Sequence, residues 1–134
     1  MKRRVAGLET EFGLVAVASD GTQAMEAEDA ARELFRPVVA WGRSSNVFLN
    51  NGGRLYLDVG SHPEYATAEC DTSHGIVVQE RAGEAELLDL IYRANAAFTD
   101  QGVDSRIHLL KNNADSAGHS FGSHENYMIE RKGE

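Results

Sequence analysis

Apolar and polar side chains alternate most clearly in residues 54–59, Arg-Leu-Tyr-Leu-Asp-Val. Successive side chains of a β-strand point to opposite faces of the sheet, so this alternation predicts a strand with two different faces. The aliphatic face suits packing against helices and carries Leu55, Leu57 and Val59. The opposite face carries Arg54, Tyr56 and Asp58. A cation, a phenol and a carboxylate in one row favour a surface that binds a charged ligand over a merely solvated one.

Apolar residues recur at helical spacing in two segments. Residues 24–39 form the first, in which Pro37 would kink the helix or mark its final turn. Its repeat consists of Ala30, Leu34 and Val38. Residues 80–101 form the second and stronger pattern, which Gly102 ends. Its apolar stripe consists of Leu87, Leu88, Ile91, Ala94 and Phe98. Residues 73–79, just before it, remain ambiguous.

Shorter apolar runs predict the remaining strands, within residues 4–17, 47–49, 107–110 and 126–131. Asn-Asn-Gly-Gly at 50–53 predicts a tight turn into the strand that begins at Arg54. Residues 111–124 are rich in Asn, Ser and Gly and predict a loop. Trp41 and Phe48 are expected in the core. The predicted fold class is α+β, with mostly antiparallel strands and two helices packed on one side.

Composition limits the classes of function. The 134 residues suffice for one domain with one core, and 42% hydrophobic and 25% charged residues are usual for a globular protein. A formal charge of −8 argues against binding along a nucleic acid backbone, although it permits nucleotide binding through a bridging metal ion. Cys70 is the only cysteine, which excludes an internal disulfide and fits a reducing cytoplasm. Neither a signal peptide nor a membrane span is predicted.

Several carboxylates accompany the polar strand face. Glu9 and Glu11 have the same parity in their strand. Asp58 lies in the polar row, and Glu64 and Glu69 follow it closely. Two carboxylates ~4 Å apart repel by roughly 4 kcal/mol at an effective dielectric constant near 20, so a fold that gathers several raises their pKa values or binds a cation. Oxygen ligands without a cysteine or histidine cluster favour Mg²⁺ over zinc. The alternative is a set of solvated or ion-paired acids.

Arg54 also has two interpretations. It can pair with a phosphate through two parallel hydrogen bonds, or it can form a salt bridge to Asp58 or Glu64. The segment 111–126 holds small residues and amide donors, which suit close approach to a ligand and suit a plain connector equally well. The chain has no GxxxxGK[ST] sequence, which excludes a P-loop enzyme. The scattered histidines show no metal-ligand spacing.

Long motifs run through the chain, at 3–13 (Arg-Arg-Val-Ala-Gly-Leu-Glu-Thr-Glu-Phe-Gly), 41–49 (Trp-Gly-Arg-Ser-Ser-Asn-Val-Phe-Leu), 54–70, 111–113, 115–118 and 123–127. They resemble the Pup–protein ligase family, also called proteasome accessory factor A, and cover nearly the whole chain. Family members are considerably longer. We therefore expect a partial sequence, in which residues 1–134 form the N-terminal part of a catalytic domain that binds ATP and Mg²⁺.

The resemblance implies the glutamine synthetase-like carboxylate–amine ligase fold, in which a curved antiparallel sheet forms a cradle for ATP and Mg²⁺. The residues carried over by motif fall into three sets: magnesium ligands (Glu9, Tyr56 and Glu64), ATP contacts (Arg54 and Thr67) and the catalytic base (Asp58). Thr67 lies three residues after Glu64, so the two would face opposite ways in a regular strand. Either a bulge intervenes or Thr67 binds through its backbone.

The implied reaction joins the γ-carboxylate of the C-terminal Glu of Pup to a substrate lysine through an acyl phosphate. Its partners are Pup and lysine-bearing proteins, which are thereby marked for proteasomal degradation in the cytoplasm. A Pup deamidase or depupylase of the same fold is the first alternative. That sister enzyme has a long insertion before the Asn-Gly turn, which 41–50 lacks here. The second alternative is an inactive fragment, because an incomplete sheet leaves strand edges unpaired.

Overall fold

The computed structural model describes residues 5–42, 46–58, 60–111, 114, 116–118, 120 and 122–128. The helices are α1 (Ala27–Gly42) and α2 (Ser73–Gln101). The strands are β1 (Ala6–Glu11), β2 (Gly13–Val17), β3 (Asn46–Phe48), β4 (Arg54–Leu57), β5 (Pro63–Ala66), β6 (Arg106–Leu110) and β7 (Ser123–Tyr127). Neither described helix is long and apolar enough to cross a membrane.

The strands of the described chain form two antiparallel sheets. The larger has the order β3-β4-β5-β1-β7, and the smaller pairs β2 with β6. Both helices pack on one side, where they enclose one hydrophobic core with the inward side chains of the strands. The α+β fold class is therefore confirmed. The other face of the larger sheet is the one that carries the polar row of β4.

Helix α2 begins earlier than its apolar stripe indicates. Thr72 caps its N-terminus, where its hydroxyl accepts a hydrogen bond from the Gly75 N–H at 3.0 Å. The ambiguous segment 73–79 is therefore helical. Gly102 ends the helix with φ 67°, as predicted. Leu88 is 47% exposed and does not belong to the buried stripe; one residue along a helix rotates the side chain by about 100°, away from the core. The buried positions are Gly83, Leu87, Leu90, Ala94 and Phe98.

Helix α1 is displaced by three residues from the predicted span 24–39. The N–H of Ala24 donates to the carbonyl of Ala16 at 2.9 Å, so this segment continues as extended chain along β2. The helix then runs through Pro37 to Gly42. The side chain of Trp41 lies outside the described residues, so its predicted core position stays a prediction.

The ends of the larger sheet also differ from the predictions. Strand β7 starts at Ser123, three residues before the predicted 126–131, and 129–131 lie outside the described residues. Phe48 was expected in the core and is 75% exposed. It pairs with Arg54 in register, and directly opposed residues share a face, so Phe48 lies on the face without helices.

The inward face of the sheet is fixed by Leu55, Tyr65 and Thr10, which follow one another across β4, β5 and β1. Leu55 and Tyr65 are each 1% exposed, and Leu57 packs against the same core. The predicted inward direction of Leu55 and Leu57 is confirmed, whereas Val59 lies outside the described residues. Tyr65 fills the space above Gly83 of α2, where an added Cβ would lie 2.2 Å from the ring.

Gly83→Ala should therefore destabilise the fold by roughly 3 kcal/mol, because the methyl group forces α2 away from the sheet. Gly102→Ala is the matched control: its Cβ would meet nothing within 4 Å, so only its left-handed backbone resists substitution, at about 1 kcal/mol. Urea unfolding of both variants measures the difference. Equal losses in the two variants would contradict the proposed contact.

Candidate active site

Two rows of side chains cross the face of the larger sheet on which neither described helix packs. The first row pairs Tyr56 with Glu64 and Glu64 with Glu11. The second pairs Arg54 and Glu9 with Ala66 between them. Residues in direct register share one face, at Cβ separations of about 5 Å. The polar row predicted from β4 and the glutamates predicted from β1 thus meet on one surface.

Glu64 is the most unusual group of this surface, because it is a carboxylate that is only 3% exposed. Burial raises its pKa; the hydrogen bond from Tyr56 opposes that rise, while the negative charges of Asp58, Glu9 and Glu11 add to it. None of the ion pairs between described residues involves Glu64. A buried, uncompensated carboxylate beside other acids favours the binding of a cation.

A candidate metal cluster consists of Glu9, Glu64 and His124. Their ligand atoms all lie within 4.8 Å of one another, and Nδ1 of His124 is 3.5 Å from a carboxylate oxygen of Glu9. Strand β7 brings His124 there by pairing with Glu9 in register. The sequence interpretation missed His124, since it placed residue 124 in a loop and expected oxygen ligands only. Its position in the motif 123–127 was the available signal.

Tyr56 contacts this cluster through Glu64. Burial, the hydrogen bond to Glu64 and the charges of Glu64 and Glu9 all raise the pKa of the Tyr56 phenol, and Arg54 only partly opposes this rise. The phenol therefore stays protonated and donates to Glu64. A direct contact between the Tyr56 oxygen and a metal ion, as the resemblance implies, stays a prediction.

Arg54 stacks on its neighbour on the same face. Its guanidinium carbon lies 4.1 Å from the centre of the Tyr56 ring, a cation–π arrangement. Its Nε is buried and has no hydrogen-bond partner among the described residues. The alternative interpretation, a salt bridge from Arg54 to Asp58 or Glu64, does not occur among the ion pairs between described residues. A fixed cation with an unused donor beside the acidic cluster suits a phosphate.

Asp58 follows β4 directly and is exposed at the rim of the same surface. A turn holds it there. The N–H of Asp58 donates to the carbonyl of His62 at 3.0 Å, and the N–H of Ser61 donates to the carbonyl of Asp58 at 3.0 Å. Its charge acts on Glu64, which places the carboxyl near the metal cluster. The arrangement leaves Asp58 open to an incoming substrate.

Thr67 lies just beyond β5 and faces the backbone of β1. Its hydroxyl accepts a hydrogen bond from the Leu8 N–H at 2.9 Å, and its own N–H donates to the Leu8 carbonyl at 2.8 Å. The hydroxyl and the N–H of Thr67 are therefore both used in hydrogen bonds to the backbone of β1. Thr67 nevertheless lines a cleft of about 430 Å³ together with Glu9 and Glu69, and Gly7 and Ala66 add little side-chain volume to that lining. Contact between Thr67 and ATP stays a prediction.

Comparison with known proteins shows that the chain is similar to proteins named as Pup ligases. A family model described as Pup-ligase protein matches residues 4–134. The Pup–protein ligase of Brachybacterium faecium is 66% identical over 134 residues, and that of Kocuria rhizophila is 60% identical over 134 residues. Each alignment covers 100% of this chain and 28% of the relative. The chain thus spans a little over a quarter of the length of the curated relatives it matches.

Solved structures agree with this comparison. The crystal structure of the complex between the prokaryotic ubiquitin-like protein Pup and its ligase PafA superposes with a TM-score of 0.92 at 43% identity. That match covers 98% of this chain and 26% of the PafA chain. The structure of PafA in complex with ADP matches 75% of this chain and 21% of its own, with a TM-score of 0.55 and 42% identity.

Proposed function

The chain belongs to the Pup-ligase family, and from this premise we propose that it forms the N-terminal part of the ATP- and magnesium-binding domain of a Pup–protein ligase. One observation carries the proposal: Glu9, buried Glu64 and His124 converge beside the stacked guanidinium of Arg54. The relatives named as Pup–protein ligases, and PafA structures solved with Pup and with ADP, support the same activity.

The two carboxylates of the cluster fit Mg²⁺, whereas the imidazole of His124 is a donor more typical of transition-metal sites. The carboxylates of Glu9 and Glu64, whose ligand atoms lie within 4.8 Å of each other, match the preference of this ion for oxygen donors, and a bound cation would give buried Glu64 a counter-charge. Glu9, Glu64 and His124 would hold the ion, with Tyr56 donating to Glu64 from the side. When bound, Mg²⁺ neutralises negative charge on the phosphates of ATP.

The first step joins the phosphate to Pup. The γ-carboxylate of the C-terminal Glu of Pup attacks the γ-phosphorus of ATP, and the bond to ADP breaks, so that an acyl phosphate and ADP result. The guanidinium of Arg54 stabilises the charge that spreads over the transferring phosphoryl oxygens. The cleft beside Glu9 and Thr67 accommodates the remainder of the nucleotide.

The second step consumes a lysine. Its amine attacks the acyl carbon, phosphate leaves, and the excess proton of the nitrogen passes to the carboxylate of Asp58. A lysine with a pKa of ~10.4 is neutral in only about one molecule in 2,500 at pH 7, so a positioned base is effective. The exposed rim position of Asp58 suits a nucleophile that arrives on the surface of another protein.

The products define the wider role that we propose. Lysine-bearing proteins joined to Pup would be the ones that the proteasome degrades, and the reaction would take place in the cytoplasm, which the single Cys70 fits.

A chimera tests the proposal. In it, these 134 residues replace the matching segment of the Brachybacterium faecium relative, with which they share 66% identity. Incubation with Pup, a lysine-bearing protein, ATP and Mg²⁺ should yield one ADP per isopeptide bond, by mass spectrometry and nucleotide chromatography. Release of Pup from a preformed conjugate, without ligation, would favour the depupylase instead.

The chain on its own is expected to bind Mg²⁺ weakly and to form no conjugate, because β3 and β7 are the edge strands of the larger sheet within the described part of the chain. Calorimetric titration with MgCl₂, followed by a ligation assay, measures both properties. Conjugate formation by the 134 residues alone would contradict the expected inactivity.

A further inference from the structure

Glu11 shares the polar face with Glu9, yet its carboxylate is engaged by other parts of the chain. One oxygen contacts Nδ1 of His62, in the turn after β4. The other accepts a hydrogen bond from the N–H of Gly122 at 2.5 Å, just before β7. The N–H of Glu11 in turn donates to the carbonyl of Gly122 at 3.0 Å. Both carboxylate oxygens are therefore occupied by segments far from β1 in sequence.

The contact with His62 secures a turn that is unfavourable by itself. Gly60 and Ser61 both have left-handed backbones, with φ of 85° and 64°. A non-glycine residue in this region costs roughly 1–2 kcal/mol and persists only where its surroundings hold it. His62 closes the turn by accepting the N–H of Asp58 at 3.0 Å. The carboxylate of Glu11 thus reaches Asp58 through one intervening residue.

The contact at Gly122 is equally close-fitting. A Cβ added there would lie 3.0 Å from the carboxylate of Glu11 and 3.1 Å from the ring of His124. The backbone can approach Glu11 this closely because the residue is glycine. Strand β7 does not depend on this contact alone, because it pairs with β1 from Ala6 to Thr10. The turn at Asp58 connects β4 to β5 and lies beyond the last pair of their ladder, Leu57 with Pro63.

We propose that Glu11 is a positioning residue: it clasps the turn that presents Asp58, whereas Glu9, two residues earlier, serves the metal. This inference rests on the proposed function, because it takes Asp58 as the base. The two glutamates of one motif then have different roles despite their shared face. Glutamine at position 11 has almost the same shape and can still accept the N–H of Gly122, but its amide nitrogen cannot accept a hydrogen bond, so the contact with His62 is lost when Nδ1 of His62 is the donor.

Kinetics of the chimera separate the two roles. Glu11→Gln should lower kcat for conjugate formation about tenfold, in line with a base displaced by a fraction of an ångström. The KM for ATP should change less than twofold, and the half-saturating Mg²⁺ concentration should rise only about threefold, because the charge of Glu11 acts on Glu64 although Glu11 is not in the cluster. Glu9→Gln is the matched control and should raise the half-saturating Mg²⁺ concentration more than tenfold. His62→Gln retains a side-chain donor for the Glu11 carboxylate and should keep most of the wild-type kcat. His62→Leu has no such donor and should lose it.

Amide hydrogen exchange of the 134-residue chain provides a readout apart from activity. Glu11→Gln and His62→Leu should accelerate exchange at Asp58 and Ser61 about tenfold, whereas Glu9→Gln should not. The proposed role of Glu11 would be contradicted if Glu11→Gln shifted the half-saturating Mg²⁺ concentration as much as Glu9→Gln does. It would also be contradicted if Glu11→Gln left both kcat and amide exchange unchanged. A wild-type chimera that forms no conjugate would instead contradict the proposed function, and exchange would still decide whether Glu11 holds the turn.

Discussion

Asp58→Asn is expected to lower isopeptide formation by the chimera about 10³-fold, within the range that general bases contribute. The amide has nearly the same shape as the carboxylate but cannot take the proton of the lysine nitrogen. The turn remains intact, because the backbone N–H and carbonyl of Asp58 form its hydrogen bonds. Nucleotide binding should therefore change less than threefold.

Hydroxylamine shows whether Asp58→Asn fails only to deprotonate the lysine or also fails to form the acyl phosphate. This nucleophile is largely unprotonated at neutral pH, so its reaction with the acyl phosphate needs no base. Asp58→Asn should thus retain Pup hydroxamate formation while lysine conjugates disappear. Asp100→Asn, at an exposed position of α2, is the matched control and should behave as the wild type. Normal conjugation by Asp58→Asn, or an equal loss with both nucleophiles, would remove Asp58 from the role of base.

Part of the polar face followed from local patterns. A period of two in residues 54–57 separated Leu55 from Tyr56, and the structure places them on opposite faces of β4. The same parity joined Glu9 to Glu11. Antiparallel neighbours in register share a face, so Glu11, Glu64 and Tyr56 form one row across three strands. The middle strand, β5, was not predicted from the apolar pattern.

Features that depend on pairing between remote segments were not predictable in this way. His124 meets Glu9 only because β7 pairs with β1, and 115 residues separate them along the chain. The register of β3 likewise turned Phe48 outwards, although its composition indicated a core strand. The start of α1 was misplaced because Ala24 bonds to Ala16 of β2, a contact that outweighs local helix propensity.

The clasp at Glu11 shows the same limit at the level of one side chain. Parity predicted which face Glu11 occupies, but Glu9 and Glu11 are equivalent by parity. Their difference arises from the backbone of Gly122 and the ring of His62, which the tertiary fold brings to β1. The motif and the alternation therefore identify which acids share the face. Only the tertiary contacts assign different roles to Glu9 and Glu11.

Glu64→Gln should have opposite effects on the metal-free and the metal-bound protein. Without metal, the substitution removes a buried charge that faces Asp58, Glu9 and Glu11, so Tm should rise by a few degrees. With metal, it removes a unit charge from the cluster, which should weaken Mg²⁺-dependent nucleotide binding by roughly 3 kcal/mol, or about one hundredfold.

The change in Tm is measured by thermal unfolding without and with MgCl₂. The change in nucleotide affinity is measured by titration of a fluorescent ADP analogue into the chimera. Glu125→Gln is the matched control: Glu125 adjoins His124 on β7 but pairs with Leu8, which places it on the opposite face. It should alter neither quantity. Removing the charge of a metal ligand relieves electrostatic repulsion in the metal-free protein and should stabilise it. A Glu64→Gln protein that loses stability without metal would therefore identify Glu64 as a structural acid.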